Sequence, residues 1–456
     1  MNVAVIKTKA EAALGEQFEA AADHLPGAGW VKELRKQAIG VFEARGLPHR
    51  RIEEWKYTDL RERLREALPP ALGAAASVSR EMVEAALGPL AAVDADRIVF
   101  VDGRYDAALS QADRLGGGVE FKTMGEMLAA APKWLAGKFD SEAIKHEDSV
   151  RALNLAFMTD GVLIKIGKAH AQERPVLLVF ARSGNAGQAV TMRNIVSVEA
   201  GAKLTLIEAH VALDGAAKKA QVNTGTDVTV AEGAEVTHIK CVADAGEATH
   251  LATWATQIGK DASYRAFQLT AGTALARNQL FATFKGEGGK LDISGCFLGR
   301  GSDHIDTTLV VDHAVPGCES RELFKGVLDG RARGVFQGKV IVRPDAQKTD
   351  GKQMAQVLML SPDAEFDSKP ELEIYADDVV CGHGSTCAEI DPEMMFYLRS
   401  RGIPKEEARA LLIDSFVADA IEKVEREDVR AALMQIAWQW LKAALPAGVG
   451  RHDVSD

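Results

Sequence analysis

Cysteine is scarce in this 456-residue sequence, with five in all, at positions 241, 296, 318, 381 and 387, and no CxxC pair among them. So sparse and odd a set excludes a disulfide framework and a zinc ribbon, and it is the usage of a reducing compartment. Cys241 in VTHIKCVA and Cys296 in LDISGCFL read as small buried hydrophobes within strands. Cys318 and Cys387 stay open. Long apolar runs are lacking as well. Nothing approaches the roughly 20 apolar residues of a membrane span, and MNVAVIKTKAEAALGEQFEA has no basic segment leading into an apolar one. A cytoplasmic, soluble chain is therefore expected. Excess positive charge is also missing: the net charge is −11 and the pI about 5.6, which argues against a nucleic-acid or anionic-membrane surface.

Several catalytic signatures are absent. Gly289-Lys290 is followed by Leu291 and has Phe284 where a P-loop needs its first glycine, and there is neither a GxSxG elbow nor an HExxH pair. The glycines at 116 to 118 have no strand before and helix after them, so they read as a loop.

What is present is a chain with 47% apolar residues and three textures, at 1–160, 161–387 and 388–456. The first is mainly helical. Phe18 to His24 and Val31 to Arg45 carry apolar residues at three and four spacing, interrupted by Pro26-Gly27. GLPHRRIEEWKYTDLRERL follows, in which Trp55 and Tyr57 read as packing residues. Arg97 to Val101 with Asp102-Gly103 make a short strand and turn.

The second texture is a repeat of strands. Acid- or glycine-bearing corners near Gly201, Gly233, Asp261, Gly288, Gly330 and Asp363 each precede an alternating strand. They fall roughly 30 residues apart, with one wider gap that residues 303 to 316 can fill. Strands at that period without intervening helices predict a solenoid whose turns stack into one core, a parallel β-helix, with a sandwich as the competing architecture. The third texture is helical again. Asp391 and Pro392 start a helix, Gly402 stops it and Pro404 restarts it. Leu412, Ile413, Phe416, Val417, Ala420 and Ile421 form one apolar stripe, and Val429, Leu433, Ile436 and Trp440 a second. These helices are expected to cap the open end of the solenoid, while Trp438 and Met434, off the second stripe, leave a partner surface open.

The chemistry concentrates in KPELEIYADDVVCGHGSTC, Lys369 to Cys387. Leu372, Ile374 and Ala376 alternate with charged and aromatic residues. Beyond the Asp377-Asp378 corner, Cys381 and His383 fall on one strand face about 7 Å apart at the backbone. A thiol and an imidazole are soft ligands, but a zinc ion or an iron–sulfur cluster takes about four. The pair is either inert or half of a site. Cys387 is near in sequence, though Ser385-Thr386 and the coming helix are expected to turn it away. His304 and His313 beside Asp303, Asp306 and Asp312 form another polar group, readable as a metal or acid–base site or as corner residues satisfying backbone groups, with the corner reading preferred.

DVVCGHGSTC, preceded by KPELEIYAD and followed by MMFYLRSRGIPKEEARALLIDSF, resembles the C-terminal signature of the SufB/SufD family of iron–sulfur cluster assembly proteins. HAVPGCESRELFKGVLDG and VFQGKVIVRPDAQKTDGKQ resemble the same family, and GLPHRRIEEWKYTDLR is similar to its SufD branch. The resemblance implies a right-handed parallel β-helix between helical domains, mainly β overall. It implies a non-enzymatic subunit that pairs with a SufB-like subunit through the C-terminal end of the β-helix. The C-terminal helices, with Leu412, Phe416, Val417 and Ile421 as candidate contacts, would hold a SufC-like ATPase. His383 and Cys381 map onto family positions at the junction where a nascent cluster is thought to form. Hence no cofactor is expected on the chain alone, and transient iron or an iron–sulfur cluster is expected at the partner interface. Gly382 stands where a serine is common, and Cys387-Ala388 departs from a segment usually ending in glycine.

Two other classes compete. A β-helix enzyme acting on polysaccharide would need a carboxylate cleft, for which Asp303, Asp306 and Asp312 are the candidates. A self-assembling structural protein would bury the C-terminal stripe in a homodimer. A homodimer in the absence of the partner, and flavin binding, stay undetermined by sequence.

Overall fold

A computed structural model describes residues 7–73, 77–139, 148–244 and 246–444. The chain is 40% strand and 27% helix. From Val162 onward, strands alternate between two sheets of nine and ten strands, and each pairs in parallel with the strand two places further on. Lys290–Gly299 thus lies along Glu319–Leu328 without a slip, from Lys290 opposite Glu319 to Gly299 opposite Leu328. The result is the expected mainly β solenoid of about eight turns, with helices at both ends of the sequence.

The corners explain the period. Gly201, Gly233, Gly288 and Gly330 have φ of 69°, 63°, 70° and 67°, a left-handed conformation that a side chain disfavours and glycine accepts freely. The wide gap between Gly288 and Gly330 holds a further corner at Gly317 and the strand His304–His313. Inward-facing residues of both sheets, among them Leu206, Trp254, Leu280, Phe297, Phe324 and Phe336, make one continuous core.

The N-terminal region is less purely helical than its periodicity suggests. It does contain helices at Lys9–Ala21 and Trp30–Arg45, the first begun by Thr8, whose side chain accepts from the Glu11 N–H at 3.2 Å while Glu11 accepts from the Thr8 N–H. The short strand expected at Arg97 to Val101 is present as Asp96–Val101 and joins the ten-stranded sheet parallel to Val176–Arg182, and a further strand, Val119–Thr123, pairs antiparallel with Val162–Ile166. These strands cover edges that would otherwise be open at the start of the solenoid.

The C-terminal helices Lys405–Ile421 and Glu427–Lys442 do not cap the other end. They lie along its side. Ile413, Val417, Ile421, Leu433, Ile436 and Trp438 pack on the outer face of the ten-stranded sheet, against Ile239, Phe267, Cys296 and Val327. That face is itself apolar, so it competes for the helices and wins them by burial. Cys241 and Cys296 are buried beneath them, as small hydrophobes within strands. Trp438, off the sequence stripe, is buried there too. Among the described residues, none covers the end of the solenoid, whose last strand is largely exposed.

Candidate functional site

The last strand, Val380–Ala388, lies along Asp350–Met359 and places Cys381, His383, Ser385 and Cys387 over Gly351, Gln353, Ala355 and Val357. The lower four are buried in the interior. The upper four are therefore the inward row of the final coil, with no coil above them. Cys381 and His383 do share a face, as alternation predicts. Cys381 is half-buried against the core, whereas His383, Ser385 and Cys387 are exposed. Cys387 is on the same face, so it is not turned away. However, a rise of roughly 3.3 Å per residue separates it from Cys381 by about 20 Å, too far to share one ion. Gly382 has open space where a side chain would sit, and at Gly384 a Cβ would fall 2.7 Å from the Met354 methyl carbon.

The two end strands differ as edges. The Val380 N–H donates to the Thr349 carbonyl at 2.8 Å. In a parallel ladder the even residues of this strand therefore face the sheet, and the odd ones turn their N–H and C=O groups outward. In the other end strand, Glu365–Ile374, the Glu365 N–H donates inward to Ala332 at 3.0 Å, so even positions face out. Pro370 is one of them. A proline there loses no bond and interrupts the edge, leaving the strand of Cys381 and His383 as the uninterrupted one.

Burial pushes the Cys381 thiol above its ordinary value, the charges of Asp350 and Glu322 add to this, and the Gly351 N–H opposes it. Cys381 is thus a neutral thiol until something replaces its proton. Among the described residues, no three His, Cys, Asp or Glu side chains converge to hold a metal.

Sequence reasoning missed the residues beneath. Glu322 pairs with Gln353, which pairs with His383, in one inward column. Both Glu322 oxygens and Gln353 Oε1 are buried without a hydrogen-bond partner among the described residues. Burial pushes the Glu322 carboxyl up to about 8. The Ser320 hydroxyl, which also meets His313 Nε2 at 3.0 Å, lies close enough to pull the other way without making a well-formed hydrogen bond to the carboxyl. The sequence signal for them is the period of roughly 30 residues, which points to the neighbourhood of Gln353 and Glu322 without fixing the register that strand pairing gives.

The other candidates have different places. Val417 and Ile421 are buried against the solenoid, and Leu412 and Phe416 are half-buried. The Lys325 ammonium sits 4.4 Å from the Phe416 ring centre and 2.5 Å from Asp419. Apolar exposure lies instead on the helix Pro392–Ser400, where Met394, Phe396 and Tyr397 are 50%, 74% and 52% exposed. Its acid cap is as expected, Asp391 accepting from the Glu393 N–H at 2.8 Å. The stripe that a structural homodimer would have buried is thus occupied by the chain itself.

Asp303 does serve a corner, accepting from the Arg300 N–H at 3.0 Å. His304 and Asp306 do not. They are buried under the N-terminal region, where Asp306 pairs with Arg277 and accepts from the Thr58 hydroxyl. Thr58 in turn accepts from His304 Nε2 at 2.8 Å, and Arg63 donates to His304 Nδ1 at 3.1 Å. Burial, with Arg63, Arg333 and Arg277 nearby, pushes His304 down to about 3, so it is neutral. The Arg277 guanidinium lies 3.7 Å from the Trp55 ring centre, so Trp55 is a packing residue. Asp312 pairs with Arg343 at 2.9 Å. These carboxylates form no common cleft, and the polysaccharide-enzyme reading loses its candidate site.

The strand repeat, the open end and its Cys-His row agree with the comparisons. Residues 180–416 match the description "SUF system FeS cluster assembly, SufBD core domain", and residues 11–178 match "SufBD protein N-terminal region". The chain belongs to the SufBD family. It is similar to the iron–sulfur cluster assembly protein SufD of Escherichia coli, 31% identical over 85% of this chain and 88% of that one. An iron–sulfur cluster assembly SufBD family protein of Synechocystis is 31% identical over 88% and 89% of the two chains. SufD of Bacillus subtilis is 26% identical over 89% and 93%. In SufBD terms, the two matched regions meet at the strand Val176–Arg182, where the N-terminal strand Asp96–Val101 enters the sheet. No helix among the described residues is long and apolar enough to cross a membrane.

Proposed function

We propose that this chain is the SufD-like, non-catalytic subunit of an iron–sulfur cluster assembly scaffold. It pairs with a SufB-like subunit through the open end of the solenoid, and its C-terminal helices hold a SufC-like ATPase. The cluster is cargo, built at the junction with His383 and Cys381 as ligands or proton carriers from this side. The observation that carries the reading is the inward row Cys381, His383, Ser385 and Cys387, on a strand whose outward backbone groups have no partner strand among the described residues. A partner strand would satisfy those groups and bring the missing ligands, since two soft side chains do not close a cluster site. The raised Cys381 pKa suits a ligand that becomes a thiolate only when iron arrives and takes its proton's place.

The test is His383→Ala in the complex reconstituted with both partners under anaerobic conditions. Cluster formation, followed by bound iron and sulfide, should fall at least tenfold while the complex elutes unchanged. Undiminished assembly in an intact complex would sink the reading.

A further inference from the structure

Glu322, Gln353 and His383 stand in register on three successive strands of the ten-stranded sheet. At about 4.8 Å per strand the column spans about 10 Å. Glu322 and Gln353 are each only 3% exposed. Both carboxylate oxygens and Gln353 Oε1 lack a hydrogen-bond partner among the described residues, while Gln353 Nε2 is committed to the Gly338 carbonyl at 3.3 Å. The fold makes room for this arrangement. Gly338 faces the glutamine, and a Cβ there would fall 2.4 Å from Gln353 Oε1.

Adjacent buried acceptors without a well-formed hydrogen bond among them are rare in folded proteins, because each forfeits its hydration with little return. A single proton on Glu322 could bridge one pair of these oxygens. A divalent cation would serve the oxygens of both residues and offset the carboxylate charge as well. Carboxylate and amide oxygens suit hard to borderline dications, and an imidazole at the mouth of the column favours iron(II) over calcium or magnesium.

We propose that Glu322 and Gln353 form an internal divalent-cation site, for iron(II), that opens to the end of the solenoid past His383. The proposal rests on the interface reading above, and an ion held there would sit directly behind the junction where cargo is built. Water or partner groups would complete its coordination.

Anaerobic equilibrium dialysis of the full chain alone against iron(II) tests it. The wild-type chain should bind one ion, with an oxygen and nitrogen shell free of sulfur by X-ray absorption. Glu322→Gln and Gln353→Met should each weaken binding at least tenfold, and His383→Ala should remove the nitrogen from the shell and the preference for iron(II) over magnesium. No binding by the wild type, or equal binding by Glu322→Gln, overturns the proposal. So does a Glu322→Gln chain that fails to fold, since it would mean those oxygens are already held by contacts. Failure of the interface reading would appear elsewhere, as normal cluster formation by the His383→Ala complex, and would leave the dialysis result unchanged.

Discussion

At the scale of single residues, the interior of this solenoid is not uniformly apolar, and its polar members divide by whether they are matched. Glu208 is fully buried, yet His238 Nε2 lies 3.0 Å away, the Thr226 hydroxyl 2.7 Å and the Lys240 ammonium 3.4 Å. Burial alone would raise its pKa, but the Lys240 charge and the histidine hydrogen bonds hold it well below the ordinary value. Glu322 has no such set, and burial takes its carboxyl up to about 8. In metal-free protein this has a defined pH dependence. Below about pH 4.5 the carboxyl is protonated in both folded and unfolded chains and costs nothing. Between there and about pH 8 the unfolded chain releases the proton and the folded chain keeps it, so stability falls as pH rises and then levels off. Glu322→Gln should therefore match the wild type near pH 4 and be more stable at pH 8, by on the order of 4 kcal/mol. Urea unfolding of both chains with a chelator, across that range, measures it; parallel stability curves would contradict it. The Cys381 and His383 pair was legible because alternation is a local property of a strand. Glu322 and Gln353 were not, because their bearing on His383 depends on the register between coils.

At the scale of elements, the C-terminal helices show what a stripe can and cannot tell. The apolar spacing of Leu412 to Ile421 predicts a buried face correctly, but it cannot name the surface that buries it. The outer face of the ten-stranded sheet takes the stripe, and the exposed apolar surface falls to the short helix Pro392–Ser400, whose Met394, Phe396 and Tyr397 were read only as part of a signature. The two helices should respond oppositely to one kind of change. Phe396→Asp, on a side chain 74% exposed, should leave the unfolding midpoint within about 0.5 kcal/mol and abolish capture of the ATPase in a pull-down. Val417→Asp, buried against the sheet, should cost about 3 kcal/mol or more by enclosing an unpaired charge. Unimpaired capture by Phe396→Asp would move the ATPase contact elsewhere. The N-terminal motif has a comparable history. Trp55 reads as a packing residue, but its partner Arg277 and the Asp306 that Thr58 donates to lie over 200 positions away, on strands of the nine-stranded sheet. Glu53 reaches still further along the solenoid, to Lys369 of the last coil, at 2.5 Å. No local pattern carries that information.

At the scale of the whole molecule, a stacked repeat was legible because each coil repeats the same corner and the same alternation, so the signal accumulates over about eight turns. Its ends were not, since ends are where the repeat stops. The N-terminal end is closed by strands from a mainly helical region, of which the sequence shows Arg97 to Val101 but not Val119–Thr123, and the C-terminal end is left open by helices that were expected to cover it. An open end on a long two-sheet solenoid is an aggregation hazard unless something limits it. The nine-stranded sheet is limited by Pro370, whose missing N–H falls on the outward side. The ten-stranded sheet has no such guard between Cys381 and Cys387, and that asymmetry fits one edge being kept for a partner. Ser385→Pro transfers the guard. Ser385 is an outward-facing position of an edge strand, so the proline removes no bond within the chain. The isolated chain should keep its strand circular dichroism and its unfolding midpoint, while binding to the SufB-like subunit should weaken by about a hundredfold or more in calorimetric titration. His383→Ala, by contrast, should bind that subunit normally and fail only in building the cluster. If Ser385→Pro pairs as tightly as the wild type, the last strand is not the edge on which the partner adds, and the row of Cys381 and His383 has no reason to lie at the junction.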